Sequence, residues 1–242
     1  MAIHVHVRDA AGSHSICPVR YGDVTKKIAE ATTLRIQVST ESAGIFDVPA
    51  QYECLSRLAD TEASVSLREI SRSPEMFEKT YSMAEKRGVD IQHILYDADE
   101  VTALLQKFDK GEIPEQNRRA IFVLGRYAQN QQSSIADLTA FLDSMGDNQL
   151  RWSVCAFGQA EHDCLFAALE LGGHARIGFE NNYLAPDGQV FDSNGASVAA
   201  FVDRAMTMEE VQALGGPHAA GALTPGQPAP ALTQQMPRRA GV

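Results

Sequence analysis

Apolar positions along this chain recur in two periods, and the two alternate from the first residues almost to the last. Short runs of period two mark strands, because successive strand side chains point to opposite faces. The first such run is Ala2-Ile3-His4-Val5-His6-Val7-Arg8-Asp9. It places Ile3, Val5 and Val7 on one face and His4, His6 and Arg8 on the other. Further strands are expected at 34–39, 63–67, 91–95, 120–124, 152–157 and 175–179. Between them lie segments of helical period with recognisable ends. Asp47 caps a helix carrying Val48, Tyr52, Leu55 and Leu58 on one stripe. Ser73-Pro74 opens a second, closed at Gly88. Residues 97–110 bury Val101, Leu104, Leu105 and Phe108, and helices follow at 134–145, 159–171 and about 194–206.

Strand and helix in alternation mean parallel pairing with right-handed crossovers. The expected fold class is therefore α/β, an incomplete (β/α)8 TIM-barrel type with seven βα units over residues 1–214. A complete barrel has eight. The deficit falls at the start, because His4 already sits in a strand, so the first strand and helix are expected to be absent. A doubly wound open sheet is the structural rival, but no GxGxxG follows the first strand. From Gly215 onward the composition changes, with five of the ten prolines at 217, 225, 228, 230 and 237. Residues 215–242 read as a disordered Pro/Gly/Ala-rich tail.

Composition narrows the function classes. A formal net charge of -10 over 242 residues leaves no basic surplus to displace counterions, so neither nucleic acid nor an anionic membrane is the expected partner. Cys17, Cys54, Cys155 and Cys164 form no CxxC pair and no zinc-finger spacing, and read as reduced thiols. No signal peptide opens the chain and no apolar run reaches about 18 residues. The expected location is cytoplasmic.

The inward-facing polar positions carry the candidate chemistry. Two imidazoles two residues apart on a strand can both reach one metal ion; the plain alternative is a surface strand with solvated histidines. In the last strand segment Arg176, Gly178 and Glu180 share a face, with Glu180 at the C-terminal end where barrel sites are built. If first and last strands are neighbours, His4, His6 and Glu180 converge as two imidazoles and a carboxylate with a coordination position left open. Arg176 has an alternative role as a buried ion-pair partner of Glu180. In the second strand Arg35, Gln37, Ser39 and Glu41 face one way, an expensive arrangement inside a protein unless each finds a partner. Ser64, Ser66 and Arg68 repeat the pattern in the third strand. Gln92 in the fourth shares its face with Ile94.

The stretches His4-Val5-His6-Val7-Arg8-Asp9, Gln37-Val38-Ser39-Thr40-Glu41, Ser66-Leu67-Arg68-Glu69, Ile94-Leu95-Tyr96-Asp97, Val123-Leu124-Gly125-Arg126-Tyr127 and Gly172-Gly173-His174-Ala175-Arg176-Ile177-Gly178-Phe179-Glu180-Asn181-Asn182 resemble the β-keto acid cleavage enzymes. The resemblance covers roughly residues 2–206. It implies a zinc-dependent barrel that condenses a β-keto acid with acetyl-CoA and cleaves the product to acetoacetate and a new acyl-CoA. It also implies Zn2+ held by His4, His6 and Glu180, with Ser39 and Arg176 in the active site. Thr40, Ser64, Ser66 and Gln92 become candidates for holding the substrate. Where studied members place an aspartate after the metal-binding glutamate, this chain has Asn181, and an amide cannot take a proton as a carboxylate does. Glu41, on the Ser39 face, is the expected substitute base, with Asn181 orienting Arg176. Rival readings are another metal-dependent barrel aldolase or hydrolase, and a truncated inactive subunit. The short amino terminus reads as a misassigned start, an oligomer-rescued short form or a remnant. A homo-oligomer is expected.

Overall fold

The computed structural model describes residues 1–58 and 62–213; the tail expected at 215–242 lies outside them. The chain divides into two compact units, Met1–Ile121 and a second from Phe122 onward.

In the first unit β1 (Ala2–Val5) ends one residue before His6. The chain then leaves the sheet and forms a small antiparallel pair, β2 (Val7–Arg8) with β3 (His14–Ser15). The Asp9 carboxylate closes the turn between them, accepting the N–H groups of Ala11 and Ser13 at 2.8 and 2.9 Å. Arg8 therefore does not stay beside His4 and His6; its guanidinium donates to the Gly12 carbonyl at 2.9 Å. Helix α1 (Pro18–Ala31) begins on a proline, whose missing N–H costs nothing in the first turn. It buries Tyr21, whose hydroxyl donates to the Ser39 carbonyl at 2.7 Å.

β4 (Arg35–Ser39), β5 (Glu62–Ser66) and β6 (Asp90–Leu95) continue beside β1 as parallel neighbours. Between β4 and β5 lies α2 (Val48–Arg57), capped by Asp47 on the Ala50 N–H at 2.9 Å. After β5 come the short α3 (Leu67–Ile70) and α4 (Pro74–Arg87). Gly88 ends α4 at φ +66°, a left-handed conformation that glycine adopts without a Cβ penalty. α5 (Ala98–Asp109) starts at the Asp97 cap and buries Val101, Leu104, Leu105 and Phe108. Full burial of a side chain of that size is worth about 1.5–3 kcal/mol, so this stripe fixes the helix against its strand. His93 points to the same helix layer, wholly buried between the Arg119 carbonyl and the Tyr81 hydroxyl, 2.8 Å from each. Burial pushes its pKa down to about 4.

β7 (Arg119–Leu124) spans the boundary between the units. The second unit continues with α6 (Ile135–Met145), β8 (Arg151–Ala156), α7 (Glu161–Glu170), β9 (His174–Ala175) and α8 (Asn194–Ala213). β8 and β9 pair in parallel, with Val154 opposite Ala175. Trp152 stacks on Phe122 with ring centroids 5.6 Å apart. A Cβ at Gly173 would lie 2.2 Å from the Trp152 ring, which is why no larger residue fits there. β9 is shorter than its sequence suggests. Past Ala175 the chain bends into a turn over 178–181, and Phe179 is exposed rather than packed under a helix.

The strand–helix alternation is that expected from the sequence, with a strand at every predicted position. Among the described residues no helix is long and apolar enough to cross a membrane.

Candidate active site

Strand register builds the first half of the site. His4 lies opposite Gln37, Ser39 opposite Ser64, Ser64 opposite Gln92 and Ser66 opposite Ile94. Polar side chains from four strands thus share one face. His4 and His6 bring their Nε2 atoms to 3.1 Å, although β1 has ended before His6. Two imidazole nitrogens that close together suit a single bound ion. The donor set fits a divalent transition metal, and the other ring nitrogen of His4 is already held, Nδ1 lying 2.8 Å from Gln37 Oε1.

The candidate substrate-facing residues fall into two groups. The hydroxyls of Ser64 and Ser66 are fully buried with no hydrogen-bond partner among the described residues. Buried hydroxyls are rarely left so, and both remain candidates for holding a ligand. Thr40 is committed to the fold, its hydroxyl donating to the Ser64 carbonyl at 3.1 Å. Gln92 has both ends of its amide engaged, one with Gln37 at 3.1 Å and one with the Ala120 carbonyl at 3.2 Å. It is tied to the histidine side of the site.

Ser39 is buried, and its Oγ accepts the Glu41 N–H at 3.2 Å. The Glu41 carboxylate, half-buried, accepts the Tyr96 hydroxyl at 3.0 Å. His14 joins the site although it carries no sequence signal. Its ring centroid stands 5.6 Å from that of His6, and its Nε2–H donates to the Glu41 carbonyl at 2.8 Å. Nothing in the sequence marks His14, because it sits on a two-residue strand with no period.

In the second unit Arg176 continues the β8–β9 ladder, its N–H donating to the Val154 carbonyl at 2.8 Å. Its guanidinium lies 3.7 Å from Glu180 and 3.3 Å from Cys155 Sγ. Glu180 stands in the turn, with its side chain 39% exposed. Asn181 is buried, its N–H donating to the Gly178 carbonyl at 2.9 Å and its own carbonyl accepting from Gly158 at 3.3 Å.

A second carboxylate lies beneath this turn. Glu161, at the start of α7, is fully buried, and its two oxygens accept the Gly178 N–H and the Asn182 amide, each at 3.3 Å. Burial raises its pKa to about 7, against the lowering effect of those donors and of Arg176. A glutamate in a first helical turn looks ordinary in sequence, since it suits the helix dipole. The cysteines are all free. Burial pushes the Cys54 thiol up to about 12 and raises Cys155 and Cys164, so these three do not supply a thiolate nucleophile.

Comparison with known proteins gives three findings. The family described as beta-keto acid cleavage enzyme matches residues 1–214. The 3-keto-5-aminohexanoate cleavage enzyme of Fusobacterium nucleatum subsp. nucleatum is 26% identical over 215 residues, covering 83% of this chain and 75% of that protein. Among solved structures, apo ObcA superposes with a TM-score of 0.59 at 13% identity, covering 89% of this chain and 58% of that one. The binary complex of ObcA with oxaloacetate gives 0.57 at 13% identity, covering 89% and 60%. The chain thus spans less than two thirds of the ObcA length. At such identity the likeness shows the fold: α/β, of the (β/α)8 TIM-barrel type, incomplete, with seven strand–helix units among the described residues.

Proposed function

Because the chain belongs to the family of β-keto acid cleavage enzymes, we propose that it transfers the acyl group of a β-keto acid to coenzyme A, taking acetyl-CoA as co-substrate. The products are acetoacetate and a new acyl-CoA. The observation that carries this reading is the His4–His6 pair, two Nε2 atoms 3.1 Å apart at the mouth of β1, in a chain of that family. On this reading His4, His6 and Glu180 hold one Zn2+.

When bound, zinc supplies Lewis-acid polarisation of the keto acid's oxygen atoms, which acidifies the carbon between its two carbonyl groups. The chain's residues do the rest. Ser64 and Ser66 donate hydrogen bonds to the substrate's oxygens, matching their buried and unpartnered hydroxyls among the described residues. Arg176 offers positive charge to the carboxylate end, and Glu180 beside it keeps the guanidinium oriented. Glu41 receives the carbon-bound proton. Its carboxylate is half-buried and positioned by Tyr96, and Ser39 Oγ ties down its backbone. Asn181 takes no part in proton transfer, having no group that accepts a proton.

The test is a product assay. Purified protein is incubated with a panel of β-keto acids, with and without acetyl-CoA. Acetoacetate and a new acyl-CoA should form in equal amounts and only when acetyl-CoA is present. Turnover of a keto acid without acetyl-CoA would instead identify an aldolase or hydrolase. A homo-oligomer is part of the same proposal and is read by light scattering.

A further inference from the structure

We propose that Gln37 and Gln92 are positioning residues that lock His4 in the Nδ1–H tautomer and so present the Nε2 lone pair to the metal. This rests on the reading of His4 as a ligand, but the geometry is independent of it. The Ala120 backbone carbonyl can only accept, so the end of Gln92 that meets it at 3.2 Å is the NH2. Gln92 Oε1 is then turned to Gln37, which must donate to it through its own NH2 at 3.1 Å. Gln37 Oε1 is left facing His4 Nδ1 at 2.8 Å, and an amide oxygen only accepts. His4 Nδ1 therefore carries the proton, and a neutral imidazole with Nδ1–H has its lone pair on Nε2. That is the atom 3.1 Å from His6 Nε2.

Three features make the relay more than incidental contact. Gln37 is buried, only 7% exposed, so water does not compete for its amide. Parallel register places Gln37 directly opposite His4, so the contact is set by the sheet rather than by a flexible loop. The far end is anchored on main chain, which cannot reverse its polarity as a third amide would. One backbone carbonyl thus fixes two amide orientations and one imidazole tautomer. Partners behind a metal-binding histidine commonly hold its ring and protonation form, and their loss costs about 10–100-fold in affinity.

Two measurements test this. In metal-free wild-type protein, long-range proton–nitrogen NMR of the histidine rings, with His4 assigned by its loss in His4→Ala, should show Nδ1 protonated. Zinc affinity is then measured by chelator competition on wild type, Gln37→Met, Gln37→Glu and Gln92→Met. Gln37→Met should weaken binding 10–100-fold. Gln37→Glu, which keeps an acceptor on His4 Nδ1, should stay within about threefold of wild type or bind more tightly. Gln92→Met should weaken binding by less than Gln37→Met, because Gln37 then turns either end of its amide toward His4. Protonation of His4 at Nε2, or a Gln37→Met protein that binds zinc like wild type, overturns the relay. Wild-type protein that takes up no zinc overturns the metal reading instead, and the NMR result still decides the relay.

Discussion

Replacing Glu161 by glutamine should make the protein more stable above neutral pH and leave it nearly unchanged at pH 5. Glu161 is fully buried, and burial raises its pKa from 4.5 to about 7. Between those values the folded chain holds a proton that the unfolded chain has released. Stability from this group therefore falls as pH rises from about 4.5 to about 7, and levels off above that. Each tenfold change in proton affinity is worth about 1.4 kcal/mol, so the ionised group costs the fold about 3 kcal/mol at pH 8. Glutamine has the shape of the protonated acid and does not titrate. Urea unfolding of both proteins in EDTA at pH 5, 6, 7 and 8 measures the difference, with unchanged m values as the control. Glu161→Gln should lie within about 1 kcal/mol of wild type at pH 5 and exceed it by about 2–3 kcal/mol at pH 8. His93, whose pKa burial lowers to about 4, has the opposite sign: its contribution is lost as pH falls from about 6.5 toward 4. That slope is common to both proteins and cancels in the difference. A gap that stays constant across the series, or one that narrows as pH rises, would refute the reasoning.

The remaining predictions are more local. Leu104→Ala, at a fully buried position on α5, should destabilise by about 2–5 kcal/mol in the same unfolding assay. Gly173→Ala puts a methyl 2.2 Å from the Trp152 ring; it should cost about 1–3 kcal/mol and shift the fluorescence of the chain's single tryptophan. Glu41→Gln, if Glu41 is the base, should lower kcat by about 10²–10⁴-fold with zinc content unchanged. Substrate turnover and metal analysis check it together.

Much of the fold was legible because most strands and helices carry a strong period. The α5 stripe Val101, Leu104, Leu105 and Phe108 is buried as its spacing predicts, and Asp47, Ser73 and Gly88 delimit their helices as their residue types suggest. Helix α1 is not legible in the sequence because it buries Tyr21 and little else, so it carries no apolar stripe. The alternation of Ala175, Ile177 and Phe179 predicts a longer β9, but the chain turns at Gly178 before the pattern can be used. At the site, strand alternation placed His4, Gln37, Ser39, Ser64 and Ser66 on one face. It could not show which partner each would find. The Gln37–Gln92 contact links residues 55 apart through sheet register and side-chain reach, and the burial of Glu161 depends on the turn that folds over it. Those are properties of packing between elements, to which a one-dimensional pattern is blind.

The central claim is a zinc ion held by residues from the two ends of the chain's strand series. Metal content of purified protein tests it most directly, measured by mass spectrometry on wild type, His4→Ala and Glu180→Ala after identical dialysis. The account predicts one zinc per chain in wild type and a loss to well below one in each variant, with folding confirmed by circular dichroism. Wild-type protein without bound metal, or folded variants that retain a full equivalent, would contradict it.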